Sequence, residues 1–301
     1  MKHIFMVAAI IVLAVACHRA IVPTATPLIN TEIKNESGQT ILAGHASISA
    51  LQGPNYKSWF DNSYNGYTVD MTSAEQLKLL LQNKHMEIFL GSWCGDSKRE
   101  VPRMLKILQD AGMDTAKISL IFVDNSTQSY KQSPQHEEKN KNIHHVPSFI
   151  IYDDKKEMGR IIESPIISLE KDMLAILQQQ PYQPNYKAIE YWRNKIGSHA
   201  KNMTDAELQS QVTTLKPLCG HSGEFNAYGY VLLAANNHTE ALNVFRLNTM
   251  LYPDNAGLFD SLAEAWTKTG NKKEAITAYE KVLSLKPDDA KAKKRIEELK
   301  M

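Results

Sequence analysis

Cysteine is scarce in this chain: only Cys17, Cys94 and Cys219 occur among 301 residues. Three thiols are too few for a disulfide-stapled framework. Glycine and proline, at 14 and 12 residues, are not enriched, so no long disordered or low-complexity tract is expected. Excess charge of either sign is also missing, with 34 Lys and Arg against 33 Asp and Glu. A net charge of +1 removes the bulk electrostatic argument for nucleic acid as a partner. Long apolar runs are absent too. The longest, Ile4 to Ala16, has thirteen residues and falls short of the ~20 that a transmembrane helix needs. What remains is 43% apolar and 22% charged sequence, ordinary for globular protein and long enough for two domains.

The apolar run follows Lys2 and His3, so residues 1–16 read as a signal peptide that fold reasoning must leave out. The run ends at Ala14-Val15-Ala16-Cys17, which resembles the lipobox of bacterial lipoproteins. That resemblance implies cleavage before Cys17 and a lipid on its thiol, although Ala14 stands where leucine is usual. The other reading is an ordinary secretory signal, with Cys17 incidental. Both place the mature chain in an exported, oxidising compartment, where two further thiols call for an explanation. A bridge between Cys94 and Cys219 is one explanation, but sequence cannot bring their Cα atoms together.

Residues 17–40, with Pro23, Pro27 and several threonines, read as a tether. Ile41-Leu42-Ala43 has strand character. Tyr56, Trp59, Phe60, Tyr64 and Tyr67 form an aromatic group suited to core packing, with a peptide-binding surface as the alternative. Thr72-x-x-Glu75 is a capping-box pattern ahead of a helix carrying Leu77, Leu80 and Leu81. Met86 to Leu90 and Ile118 to Val123 are apolar runs of strand length. Between them, Val101, Leu105 and Leu108 mark a helix starting near Cys94, with Pro102 inside it to kink it. Residues 125–142 are polar and are expected to be helix and loop. Val146 to Tyr152 and Glu157 to Ile162 form a predicted hairpin about Asp153-Asp154. Ser168 is positioned to cap a last helix, through Leu177. The order fits an α/β sheet with helices on both faces.

Trp93-Cys94-Gly95 at a strand-to-helix turn, Pro102 eight residues after Cys94, and Val146-Pro147 at a strand start together resemble the thioredoxin superfamily. The likeness covers about residues 70–180 of a domain drawn over 41–181. It implies an α/β thioredoxin-like fold, Cys94 as nucleophile, a cis Val146–Pro147 bond beside it, and Trp93, Gly95 and Val146 as substrate contacts. Two residues depart from the pattern. Ser97 replaces the second, resolving cysteine of C-x-x-C, and Ile88 replaces the buried strand acid. A serine can hydrogen-bond a thiolate but cannot attack a disulfide. The helix N-terminus, Lys98 and Arg99 favour a thiolate at Cys94, while Asp96 opposes it. His144 and His145 are expected to be solvent-exposed loop residues; the alternative brings one of them to Cys94. Three uses of Cys94 stay open: a working monothiol, a thiol resolved by Cys219 or by a partner, or a relic within a binding domain.

Tyr252-Pro253-Asp254 recurs as Lys286-Pro287-Asp288, an offset of 34 residues (287 minus 253). With Gly229, Ala241 and Phe245 matched by Ala263, Ala275 and Tyr279, units 222–255 and 256–289 resemble tetratricopeptide repeats. Residues 290–300 would be the polar capping helix of such a stack. Residues 182–221 read as a helical linker or degenerate repeat, with a capping box at Thr204-x-x-Glu207. Cys219-Gly220-His221 offers too few ligands for a metal site, and no metal or other cofactor is expected.

These readings describe a bacterial cell-envelope protein, lipid-anchored through Cys17 and facing the periplasm, or exported and soluble if Cys17 carries no lipid. The first function expected is monothiol thiol–disulfide exchange on exported proteins or peptides. Cys94, Ser97 and Pro147 would be the catalytic set, Cys219 a candidate resolving thiol, and the repeat groove would recruit a protein partner. The alternative is a non-catalytic adaptor using both surfaces.

Overall fold

The structure, a computed structural model, describes residues 29–197 and 201–301. The expected signal peptide and Cys17 lie outside those residues.

A six-stranded mixed sheet occupies the N-terminal half, in the order β1-β2-β4-β3-β5-β6. Its strands are β1 (Thr31–Lys34), β2 (Thr40–Ala46), β3 (Lys84–Leu90), β4 (Ile118–Phe122), β5 (Ser148–Asp153) and β6 (Lys156–Ile162). β3 and β4 pair in parallel, with Ile88 opposite Leu120, and every other pairing is antiparallel. Thr31–Lys34, within the stretch expected to be tether, is instead the edge strand β1. Asn35 makes this turn: its Oδ1 accepts from the N–H groups of Ser37 and Gln39, and Gly38 takes φ +78°, where a glycine has no Cβ to clash.

Among the described residues, four α-helices accompany the sheet: α1 (Lys57–Asn65), α2 (Met71–Leu80), α3 (Gly95–Asp110) and α4 (Leu169–Leu177). α2 begins before the expected capping box. Asp70, not Thr72, is its N-cap, accepting from the N–H groups of Thr72 and Ser73, because a carboxylate satisfies two orphan donors at once. α3 runs unbroken through Pro102, and Ser168 caps α4 through the Lys171 N–H.

Strand alternation sorts the apolar residues onto two faces. Ile88, Leu90, Leu120, Phe122, Phe149 and Ile161 face a core that also takes Phe60, Leu77, Leu105 and Met173 from all four helices. Full burial of such side chains contributes about 1.5–3 kcal/mol each. The expectation of helices from this half on both faces therefore needs correction. Phe89, Ile121, Val123 and Ile150 on the other face pack with Ile143 and Val146 of the loop after β4. Residues 125–142, expected to include helix, form turns, bends and irregular loop without a helix. Asp124 explains this, since its carboxylate gathers the Asn125 and Ser126 N–H groups into a turn.

Among the described residues, seven α-helices form the C-terminal half: α5 (Lys187–Lys195), α6 (Asp205–Leu215), α7 (Gly223–Ala234), α8 (His238–Leu251), α9 (Ala256–Lys268), α10 (Lys272–Leu285) and α11 (Ala290–Lys300). α7–α8 and α9–α10 are the two pairs related by the 34-residue offset. Gly229 on α7 meets the Phe245 ring of α8 so closely that a Cβ there would lie 2.8 Å from it. The reciprocal capping box at Thr204 and Glu207 opens α6. Trp192 of α5 and Leu208 and Leu215 of α6 share one core with Phe225, Val244 and Tyr279. Ile162 of β6 joins that same core, so the helical region packs against the sheet. Asn185 fastens the join, donating to the carbonyls of Ile162 (3.3 Å) and Ser164 (2.9 Å).

Candidate thiol site at the start of a helix

β3 ends at Leu90 and α3 starts at Gly95, so four residues carry the chain from the sheet centre to a helix N-terminus. Cys94 is the N-cap, with extended backbone (φ −85°, ψ 128°). Its side chain caps nothing; the Sγ–H instead donates to the Val146 carbonyl at 3.2 Å. The Val146–Pro147 peptide bond is cis. The sulfur is half-buried and free, as is that of Cys219. Trp93, Cys94 and Val146 thus meet over the second face of the sheet.

The turn is held from three sides. Trp93 Nε1 donates to the Val123 carbonyl (2.8 Å), and Ser92 Oγ accepts from the Leu42 N–H (3.0 Å). Ser97, only 1% exposed, accepts from the Gly91 N–H at 3.2 Å. Among the described residues no hydrogen bond joins Ser97 to Cys94; the hydroxyl braces the turn through Gly91. Gly95 is exposed and open above its Cα. Ile88 is fully buried in the helix-side core.

The charges expected to act on Cys94 are largely spent on one another. Arg99 binds Asp96 and Glu100, each at 2.6 Å, and Arg103 also reaches Glu100. A different cation is tied to the same loop as Cys94. Lys131 is buried, and its Nζ donates to the His144 carbonyl at 2.7 Å. Burial pulls its pKa down to about 8, against the upward pull of the Cys94 and Glu163 charges.

His144 and His145 are not the solvent-exposed residues expected, being 1% and 6% exposed. Their Nδ1 atoms share a hydrogen bond (2.8 Å), and His145 stacks on Tyr186 at 3.8 Å between ring centres. His144 packs edge-on to Tyr186 and Tyr228. The helical region therefore covers this loop and buries both rings. Burial, and then Lys131, hold both histidines well below their usual pKa. Tyr186 also hydrogen-bonds Glu163, whose N–H donates to the Pro147 carbonyl at 2.6 Å.

Cys219 lies in the helical region, half-buried beside Tyr252 and Glu224. Burial first and the Glu224 charge second push its thiol up to about 11. A thiol held in its protonated form is a poor attacking group. Among the described residues no group of three or more His, Cys, Asp or Glu side chains is placed to hold a metal ion. Lys131, Tyr130 and Tyr186 were not legible as site residues. Each sits in an unremarkable polar stretch and reaches the site only by tertiary folding. No known protein family matches the chain, and no curated protein matches it.

Proposed function

We propose that the chain is an exported protein with a thioredoxin-like domain followed by tetratricopeptide repeats, acting as a monothiol in thiol–disulfide exchange. The carrying observation is Cys94 Sγ, half-buried at the N-terminus of α3 and 3.2 Å from the Val146 carbonyl. A helix N-terminus favours the anion that does this chemistry. The topology supports the thioredoxin-like reading: a parallel β3-α3-β4 unit, then an antiparallel hairpin and α4. The 34-residue helix pairs, with Gly229 against Phe245, support the repeat reading.

In the proposed reaction the Cys94 thiolate attacks one sulfur of a substrate disulfide, RSSR′. The Cys94–S–S–R mixed disulfide forms and R′S⁻ leaves. With serine at 97, the second step falls to an external thiol, which takes R and returns Cys94 to its thiolate. Cys219, held protonated to about pH 11, is a weak candidate for that step. The substrates would be exported proteins or peptides, and the repeats would recruit a protein partner. Cys17 would carry the lipid that fixes the chain to the envelope membrane. No helix among the described residues is long and apolar enough to cross a membrane.

The test is mixed-disulfide trapping. Cells expressing the tagged full chain are quenched with an alkylating agent, and adducts are resolved without reductant. Adducts present in the wild type and absent in Cys94→Ser support exchange. An unchanged adduct pattern in that variant rejects it and leaves the adaptor reading, which the serine at 97 favours.

A further inference from the structure

We propose that Lys131 is the counter-charge of the Cys94 thiolate, a positioning residue that makes this monothiol reactive. The inference rests on the monothiol reading of Cys94 and adds the group that activates it.

Lys131 is 4% exposed. A buried ammonium is costly unless an anion faces it. Among the described residues no carboxylate lies within ion-pair distance of its Nζ. Its one hydrogen bond goes to the His144 carbonyl, and the Tyr130 ring lies 5.0 Å away. Two of its three N–H donors therefore have no partner among the described residues. The backbone also bears strain to put it there. Lys131 takes φ +57°, a left-handed conformation uncommon for a side chain of this size. Two backbone hydrogen bonds, Lys131 N–H to the Asp124 carbonyl and Asp124 N–H to that of Gln132, close the loop and fix it.

The anion we assign to Lys131 is the Cys94 thiolate. Lys131 Nζ and Cys94 Sγ donate to carbonyls two residues apart in one loop, those of His144 and Val146. Negative charge on Cys94, and on Glu163, favours the charged form of Lys131 against the larger effect of its burial. The other charged or titratable groups near Lys131 are Tyr130, His144, His145 and Glu163. Both histidines are held neutral, while Glu163, which accepts from Tyr186, is a second anion that acts on Lys131 but lies outside ion-pair distance of its Nζ. On the α3 side, Asp96 and Arg99 are paired with each other, and Lys98 makes no ion pair among the described residues.

The Cys94 S–H bond to Val146 favours the neutral thiol. Ionisation releases that proton to water and leaves sulfur facing a carbonyl oxygen. The Lys131 ammonium offsets this repulsion. In the exchange step Lys131 forms and breaks no bond. It loses its counter-charge when the mixed disulfide forms and regains it when the thiolate returns.

The test is alkylation of the full chain by iodoacetamide across pH 5 to 10, with Cys94 read separately from the other cysteines by peptide mass spectrometry. In Lys131→Met the Cys94 rate at pH 7 falls about tenfold and the profile moves to higher pH, since a tenfold smaller thiolate fraction corresponds to a thiol pKa about 1 higher. Lys131→Arg restores a profile close to wild type. An unchanged profile in folded Lys131→Met overturns the proposal. If Lys131→Met does not fold, the reciprocal measurement decides. Blocking Cys94 in the wild type must make Lys131 lose its proton at lower pH, read by its rate of amine labelling; no change overturns the proposal. Alkylation needs no disulfide, so the proposal survives or fails independently of the trapping experiment.

Discussion

Replacing Ser97 by alanine separates two roles that the sequence leaves joined. The hydroxyl is almost fully buried and accepts from the Gly91 N–H at 3.2 Å, within the turn that carries Cys94. Alanine removes that acceptor and leaves a buried backbone donor unpaired. Such a group costs about 1–3 kcal/mol. The bond is at the long end of the normal range, which favours the lower part of that interval, about 1 kcal/mol. For a domain of this size that corresponds to a loss of roughly 2–4 °C in Tm. The second readout is hydrogen exchange, in which the Gly91 amide should lose protection. Because no hydrogen bond joins Ser97 to the sulfur, the alkylation rate of Cys94 should change by much less than about tenfold, the effect of moving a thiol pKa by 1. A tenfold slower alkylation with unchanged stability and Gly91 protection would refute the reasoning and return Ser97 to direct support of the thiolate.

Three further outcomes follow from the structure. His144 and His145 titrate well below 6.5 when folded, so the unfolded chain binds more protons just below that value. Stability is then full above pH 6.5 and falls as pH drops through it, by up to about 1.4 kcal/mol per pH unit for each ring; urea denaturation at a pH series that shows no decline between 6.5 and 5.5 would contradict the burial of this pair. Gly229→Ala puts a Cβ 2.8 Å from the Phe245 ring, and overpacking of this kind costs about 1–3 kcal/mol, read as a lower Tm for the helical half. Cys219, with its thiol raised to about 11, should react with iodoacetamide more slowly than a free cysteine at pH 8, the rate still climbing at pH 10; a rate equal to that of free cysteine would contradict its burial beside Glu224.

Sequence pattern was most informative where the signal was local. Thr204-x-x-Glu207 forms its reciprocal cap, Ser168 caps α4, and the apolar runs at 86–90 and 118–123 lie within β3 and at β4. Periodicity and short-range hydrogen bonding decide such features, so neighbours in sequence suffice. Pattern misled where a competing local group or a distant surface won. Asp70 captured the start of α2, a turn built on Asp124 replaced a helix, and Thr31–Lys34 found a strand partner only across Gly38. His144 and His145 look like polar loop residues until Tyr186 and Tyr228 cover them.

The sequence by itself determined the two-part organisation, the 34-residue recurrence, and a cysteine leading a helix with serine three residues on. Each is a matter of residue order, which no folding step alters. Tertiary structure alone decided what surrounds that cysteine. The Val146 carbonyl lies 52 residues away along the chain, and the helical half closes over the loop between Lys131 and Val146. A buried charge is visible only once its surroundings are known, since its energy depends on which groups replace the water it has lost. Lys131 is an ordinary lysine in the sequence and, in the fold, a buried amine bound to the His144 carbonyl.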